Sequence, residues 1–278
     1  MGMFKITKNI NKVLNRFNYY LLNINHIGTY NPDKVLLNIG SGDWSCKGWT
    51  NLDYPTKNYK KVQKGHKFIP YNIREDKIPF GNSSVDAIYC SHVIEHVESE
   101  HAVNMFKDCY RVLKSGGILR IACPDAEFLY QMAAIETDYW QWKNDSFFSS
   151  KLYNTKNKPR TIDYLVREIA SPKLLGYIHS LNKTDYIDAY RSMDMYGFLN
   201  YLTNDLVYRE EFTYDHISYW TYYKLKGVMS TIGFDFVIRS KWSASCCKQM
   251  KSIAKFDTTY PVMSLYVEVV KKPALPEP

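Results

Sequence analysis

From Val35 onward the apolar and polar positions fall into two alternating rhythms. Nearly unbroken apolar runs stand at 35–39 (VLLNI), 85–90 (VDAIYC) and 118–123 (ILRIAC), and a further run closes at Asn51-Leu52-Asp53. Short runs of this kind, bounded by turn residues, read as buried strands. Residues 92–113 instead repeat their apolar positions at helical spacing, and Lys114-Ser115-Gly116-Gly117 follows. That pattern predicts a helix opening at His92 and stopped by the lysine and glycines. Strand, helix and strand in succession imply βαβ units around a parallel sheet. Beyond Asp125 the rhythm changes. Residues 126–209 are aromatic and helical in pattern, with breakers at Pro159, Pro172 and Gly176. The segment is too long for a crossover loop, which predicts an inserted helical cap. Residues 219–234 return to an amphipathic helix, and 235–242 and 263–272 read as the two strands of a closing antiparallel hairpin.

The chain before Val35 is different again. Phe4, Ile6, Ile10, Val13, Leu14, Phe17 and Leu21 approximate one face of a helix, with Lys5, Lys8, Lys12 and Arg16 mostly elsewhere. A helical segment over 1–30 suits packing on its own domain or on a subunit partner, giving an oligomer. Residues 1–25 would also suit peripheral contact with an anionic membrane. No run approaches the roughly 20 apolar residues of a spanning helix, and the start lacks a signal-peptide core.

Composition narrows the partners. Of 278 residues 45% are hydrophobic, enough to bury a sizeable core. Lys and Arg number 36 against 28 Asp and Glu, a net charge of +8. That excess is spread along the chain, so it favours an anionic small substrate over a nucleic-acid stripe. The cysteines at 46, 90, 109, 123, 246 and 247 form no C-x-x-C pair. They read as reduced thiols in a cytoplasmic protein.

The candidate chemistry begins at Asn38-Ile39-Gly40-Ser41-Gly42. Glycines directly after a buried strand let the backbone turn tightly and approach a ligand. The dinucleotide fingerprint wants a third glycine where Ser45 stands, and no Gly-Lys-Ser/Thr follows, so the pyrophosphate seat is weakened and a P-loop excluded. Asp53, at the end of the second strand, can accept two hydrogen bonds from ribose hydroxyls. A glycine loop and a ribose carboxylate without a pyrophosphate seat describe a nucleoside with a small charged tail. S-adenosylmethionine (SAM), giving S-adenosylhomocysteine as product, fits.

The segments YNIREDKIPFGNSSVDAIYCSHVIEHV (71–97) and RVLKSGGILRIACPD (111–125), taken with LNIGSG and LDY, resemble the class I SAM-dependent methyltransferases. The resemblance covers Val35 to Asp125 closely and the C-terminal strands more loosely. It implies a Rossmann-like seven-stranded α/β sheet with the cap inserted after the fifth strand. The SAM-binding domain would then comprise 31–125 and 210–272. It places Asn38, Gly40, Ser41 and Gly42 against the methionine moiety, Asp53 on the ribose, Asn72-Ile73 at the adenine, and Ser91-His92 beside the transferred methyl group. Members with this pattern look like bacterial enzymes placed among capsule or lipopolysaccharide genes. The acceptor implied is therefore small or glycan-linked and anionic, O-methylated on a sugar, nucleotide-sugar or phosphate-linked group. An RNA or tRNA methyltransferase and a non-catalytic SAM-fold interaction protein are the alternatives.

His92-Val93-Ile94-Glu95-His96 also matches a zinc-protease motif, H-x-x-E-H. Its place after a strand of such a sheet argues against a protease. With Glu100-His101 these residues also resemble a divalent-metal set, but no metal is expected. An oxygen acceptor is helped by a base, and histidine titrates near neutrality. The candidates are His92, His96 and His216, with Asp125 as a further base or orienting group.

Overall fold

The strand Leu36–Ile39 (β1) is buried at every position because it is hydrogen-bonded on both sides, by Trp49–Asp53 (β2) and by Val85–Ser91 (β4). The computed structural model describes residues 33–57, 59–135, 138–143, 159–179, 186–234 and 236–272. The expected helix over 1–30 lies outside them. The sheet order is β3-β2-β1-β4-β5-β7-β6, with β3 at Ile69–Pro70, β5 at Leu113–Pro124, β6 at Phe236–Arg239 and β7 at Ser264–Val270. The first five strands of that order run parallel, and β7 runs antiparallel to both β5 and β6. This is the expected seven-stranded Rossmann-like sheet, closed by the expected hairpin. The order reverses between β1 and β4, and a crevice opens outside the carboxyl ends of strands at such a switch point.

The link after β4 departs from the expected continuous helix. His92 has a left-handed backbone (φ +54°), Ile94–His96 form one 3-10 turn, and the helix α2 runs only over Ser99–Val112; α1 is the single turn Lys60–Gln63. The true helical stripe is Ala102, Met105, Phe106, Cys109 and Val112. Val93, Ile94 and Val97 continue that apolar rhythm, but they pack on the core from a turn. The expected stop also moves. The helix gives way to strand at Leu113, and Gly116 (φ +74°) donates its N–H to the Lys271 carbonyl at 2.8 Å, so the glycines belong to the sheet.

Between β5 and Tyr222–Ile232 (α8) the described residues are largely helical. They comprise Ala126–Ala134 (α3), Thr161–Ile169 (α4), Ser171–His179 (α5), Tyr186–Ser192 (α6) and Met195–Thr203 (α7). Leu129, Trp140, Leu165, Val166, Phe198 and Leu202 form a core of their own. The indole of Trp140 stacks on Tyr164 with ring centroids 5.3 Å apart, inside this cap core. The six cysteines are free. No described helix is long and apolar enough to cross a membrane.

Arg120, in the middle of β5, is completely buried. It binds Asp257, Glu268, the Ser240 hydroxyl and the Lys241 carbonyl. Asp257 in turn accepts from the Ser243 N–H at 2.9 Å, and its own N–H donates to the Tyr89 hydroxyl at 2.7 Å. This network holds the β6–β7 connection, with Thr258, Thr259 and Tyr260, against the carboxyl edge of the sheet.

Candidate cofactor and acceptor site

At the switch point the glycine loop and the turn after β4 meet face to face. A Cβ on Gly40 (φ +68°) would stand 2.3 Å from a Val93 methyl carbon, so only glycine fits. Gly42 (φ +55°) donates its N–H to Asp53 Oδ2 at 2.7 Å, which ties the loop to the end of β2. The Tyr54 N–H occupies Oδ1 at 2.8 Å. The Ser41 hydroxyl stands 3.5 Å from Oδ2, a long contact that a ribose hydroxyl would replace. Burial raises its pKa above the ordinary carboxylate value, while hydrogen bonds from Gln63, Gly42, Tyr54 and Ser41 work the other way.

Two cavities open here, and they share Gly40, Tyr59, His92, His96 and Tyr214. The smaller is lined by Asp53, Tyr71, Asn72, Ile73, Arg74, Tyr208 and Thr213 among others. The larger, about 550 Å³, reaches Asn38, Ser41, Gly42, Ser91, Glu168, His216 and Tyr260. The expected cofactor-binding residues thus all border one cavity or the other. In the smaller cavity the hydroxyls of Tyr71 and Thr213 are buried without a hydrogen-bond partner among the described residues. Two orphaned hydroxyls beside a ribose-type carboxylate fit a nucleoside. Neither was legible from the sequence. Tyr71 reads as one more tyrosine before the expected adenine contact, and Thr213 lies in the far segment after the cap.

The three histidines converge around one carboxylate. Glu95 is buried, and its Oε1 stands 3.1 Å from His92 Nδ1. His92 Nε2 lies 2.8 Å from the Ser264 hydroxyl on β7. His216 arrives through backbone pairing. The N–H groups of Ile217 and Ser218 both donate to the Glu95 carbonyl, at 2.8 and 3.2 Å. The Ser218 hydroxyl and the Trp220 indole N–H donate to the Ile94 carbonyl. That docking sets the His216 ring edge-on to His96, with centroids 4.7 Å apart. His96 Nδ1 lies 3.0 Å from the Asp215 carbonyl, and His216 Nδ1 lies 2.6 Å from the Glu168 carbonyl. A carbonyl can only accept, so both Nδ1 atoms carry the proton and both Nε2 atoms keep a lone pair. Burial pushes the Glu95 carboxyl up, but the hydrogen bond and charge of His92, with His96 and His216, prevail and hold it at about 2. Burial pulls His96 down to about 4, with Glu95 opposing and His216 assisting.

Asp125 is a correction. Its side chain caps α3, accepting from the Phe128 N–H at 3.2 Å, and pairs with Arg239 at 3.0 Å. It borders neither cavity. The carboxylate holds a helix start and a strand edge, and it is not a base. Two cations of the cap are also engaged. Lys143 pairs with Glu168 at 2.7 Å, and Arg160 with Asp163 at 2.8 Å.

Residues 48–121 match the family model of a methyltransferase domain. Over these residues the chain is similar to that family. A match to this family is consistent with SAM as the cofactor, and the smaller cavity has groups that suit its adenosine. No curated protein matches the chain. Among solved structures it is similar to a SAM-dependent methyltransferase from Archaeoglobus fulgidus, at 12% identity over 95% of this chain and 94% of that one, with a TM-score of 0.42. It is similar to another from Methanosarcina mazei, at 13% over 91% and 99%, with a TM-score of 0.42. A possible histamine N-methyltransferase from Thermotoga maritima matches at 13% over 90% and 87%, with a TM-score of 0.40. Likenesses this distant add no argument about the acceptor.

Proposed function

We propose that this methyltransferase methylates a hydroxyl oxygen of a small or glycan-linked anionic acceptor held in the larger cavity. The acceptor would be a sugar, nucleotide-sugar or phosphate-linked group of surface-polysaccharide biosynthesis, and the setting a bacterial cytoplasm. The observation that carries the oxygen acceptor is the Glu95–His92 pair at the junction of the two cavities. A hydroxyl is a poor nucleophile until its proton is removed, and a carboxylate-oriented imidazole at that junction is a suitable base. SAM supplies a methyl group already activated by its sulfonium. Gly40 and Gly42 let the backbone close on the cofactor, and Asp53 takes the ribose hydroxyls. His92, beside Glu95, is the group that would take up the acceptor proton. The cavity walls of cap and β6–β7 connection exclude water from the transfer.

The test is a product assay. Purified protein, SAM and a panel of nucleotide sugars and phosphorylated polyols are incubated, and S-adenosylhomocysteine release is measured. Mass spectrometry then locates the methyl group. Methyl on oxygen of a sugar-type acceptor is the expected result. Transfer to amines alone, or to RNA in preference to every sugar, would overturn the acceptor while leaving the cofactor in place.

A further inference from the structure

Glu95, His96 and His216 each offer a donor atom within 4.8 Å of the others. Donors around a tetrahedral zinc stand about 3.4 Å apart, given metal–ligand distances of about 2.1 Å, so small side-chain rotations close the set. Three independent features mark these groups as more than a packed polar cluster. The carboxylate is buried, yet its Oε2 accepts no hydrogen bond among the described residues. A buried charged oxygen left bare is costly unless something binds it. Both imidazoles have their Nδ1 protons committed to main-chain carbonyls, of Asp215 and Glu168. Metal-binding histidines are held in that way, with the other nitrogen bare and aimed at the ion. Finally, His96 and His216 both border the larger cavity, so open coordination positions would face it.

We propose that Glu95, His96 and His216 form a site for one divalent transition-metal ion whose open positions face the acceptor cavity. Two imidazoles and one carboxylate suit zinc, manganese, iron or cobalt, and suit the hard, six-oxygen ions magnesium and calcium poorly. This runs against the expectation of no metal. The inference deepens the hydroxyl-acceptor reading and rests on it for its purpose. A cation there binds an acceptor oxygen and makes its proton easier to remove. His92 stays outside the ligand set, shares Glu95 through Oε1, and remains the proton's destination.

The experiment uses the full chain, stripped with chelator and titrated with cobalt(II) as the probe. Visible d–d absorption reports ligand-field geometry without any turnover. The expected result is one cobalt per chain with a band of low-coordinate intensity, displaced by zinc. His216→Asn and Glu95→Gln should each weaken binding by at least about tenfold. His216→Cys should keep binding and add a thiolate-to-cobalt charge-transfer band, which a merely structural histidine would not yield. Titration with S-adenosylhomocysteine on the same samples reports folding and the cofactor site separately. Failure of the product assay with cobalt bound would therefore count against the acceptor reading alone. No stoichiometric cobalt uptake by a wild-type chain that binds S-adenosylhomocysteine would overturn the metal site. So would uptake indifferent to both ligand substitutions.

Discussion

Two buried charge clusters bracket the carboxyl half of the sheet, and they are finished differently. Around Arg120 every guanidinium N–H has an acceptor, supplied by Asp257, Glu268, Ser240 and Lys241. Glu268 is completed by the Ser245 hydroxyl and by the Cys246 N–H at 2.7 Å. Around Glu95 neither carboxylate oxygen has a hydrogen-bond partner among the described residues, Oε1 having only the 3.1 Å ion-pair contact with His92, and two imidazole nitrogens keep lone pairs beside a cavity. A saturated network has nothing left to bind and serves the fold. An unsaturated one costs stability, and its retention points to a ligand.

The contrast breaks most visibly through Arg120. Arg120→Ala leaves Asp257 and Glu268 buried without their cation, and should destabilise by about 3–5 kcal/mol. Urea denaturation followed by circular dichroism measures it, and a loss below about 1 kcal/mol would mean the network does not hold the fold. On the other side, His92→Ala should lower turnover by at least about 100-fold, the lower range for a lost general base. S-adenosylhomocysteine affinity should stay within about twofold by calorimetry. Turnover close to wild type would remove His92 from the base role.

Asp53→Ala sharpens the comparison by probing the cofactor side alone. It should weaken cofactor binding by about 1–3 kcal/mol, while the cobalt band persists. An unchanged affinity would take Asp53 out of the ribose contact. The smallest effect concerns acid. Because His96 is neutral in the fold down to about 4 against an ordinary 6.5, the unfolded chain takes up its proton first. Its contribution is present above about 6.5 and is lost as the pH falls through about 4. Glu95, held at about 2 against 4.5, keeps its contribution above 4.5 and loses it only below that. Denaturation across this range should show the His96→Asn variant losing less stability between pH 6.5 and 4 than wild type does. Parallel curves would show that His96 does not set that slope.

Much of the cofactor half was readable before any coordinates. Gly40, Gly42 and Asp53 sit on consecutive strand ends, so spacing along the chain already places them together. The histidine cluster was readable only as a set of residue types. Asp125 looks like a free carboxylate after a proline, but its partner Arg239 lies far along the chain on β6. The helix expected from His92 failed because Val93, Ile94 and Val97 serve a packed turn that happens to share the helical spacing.

By itself the sequence determined where the principal strands lie and the glycine turn after the first of them, since hydrophobic period and glycine conformation are local properties of a chain. Only the tertiary structure decided that His216 meets Glu95 and His96. That meeting depends on main-chain N–H groups of Ile217 and Ser218 finding the carbonyl of Glu95 across an intervening cap. A backbone hydrogen bond carries no side-chain signature, and so no pattern of residues announces it.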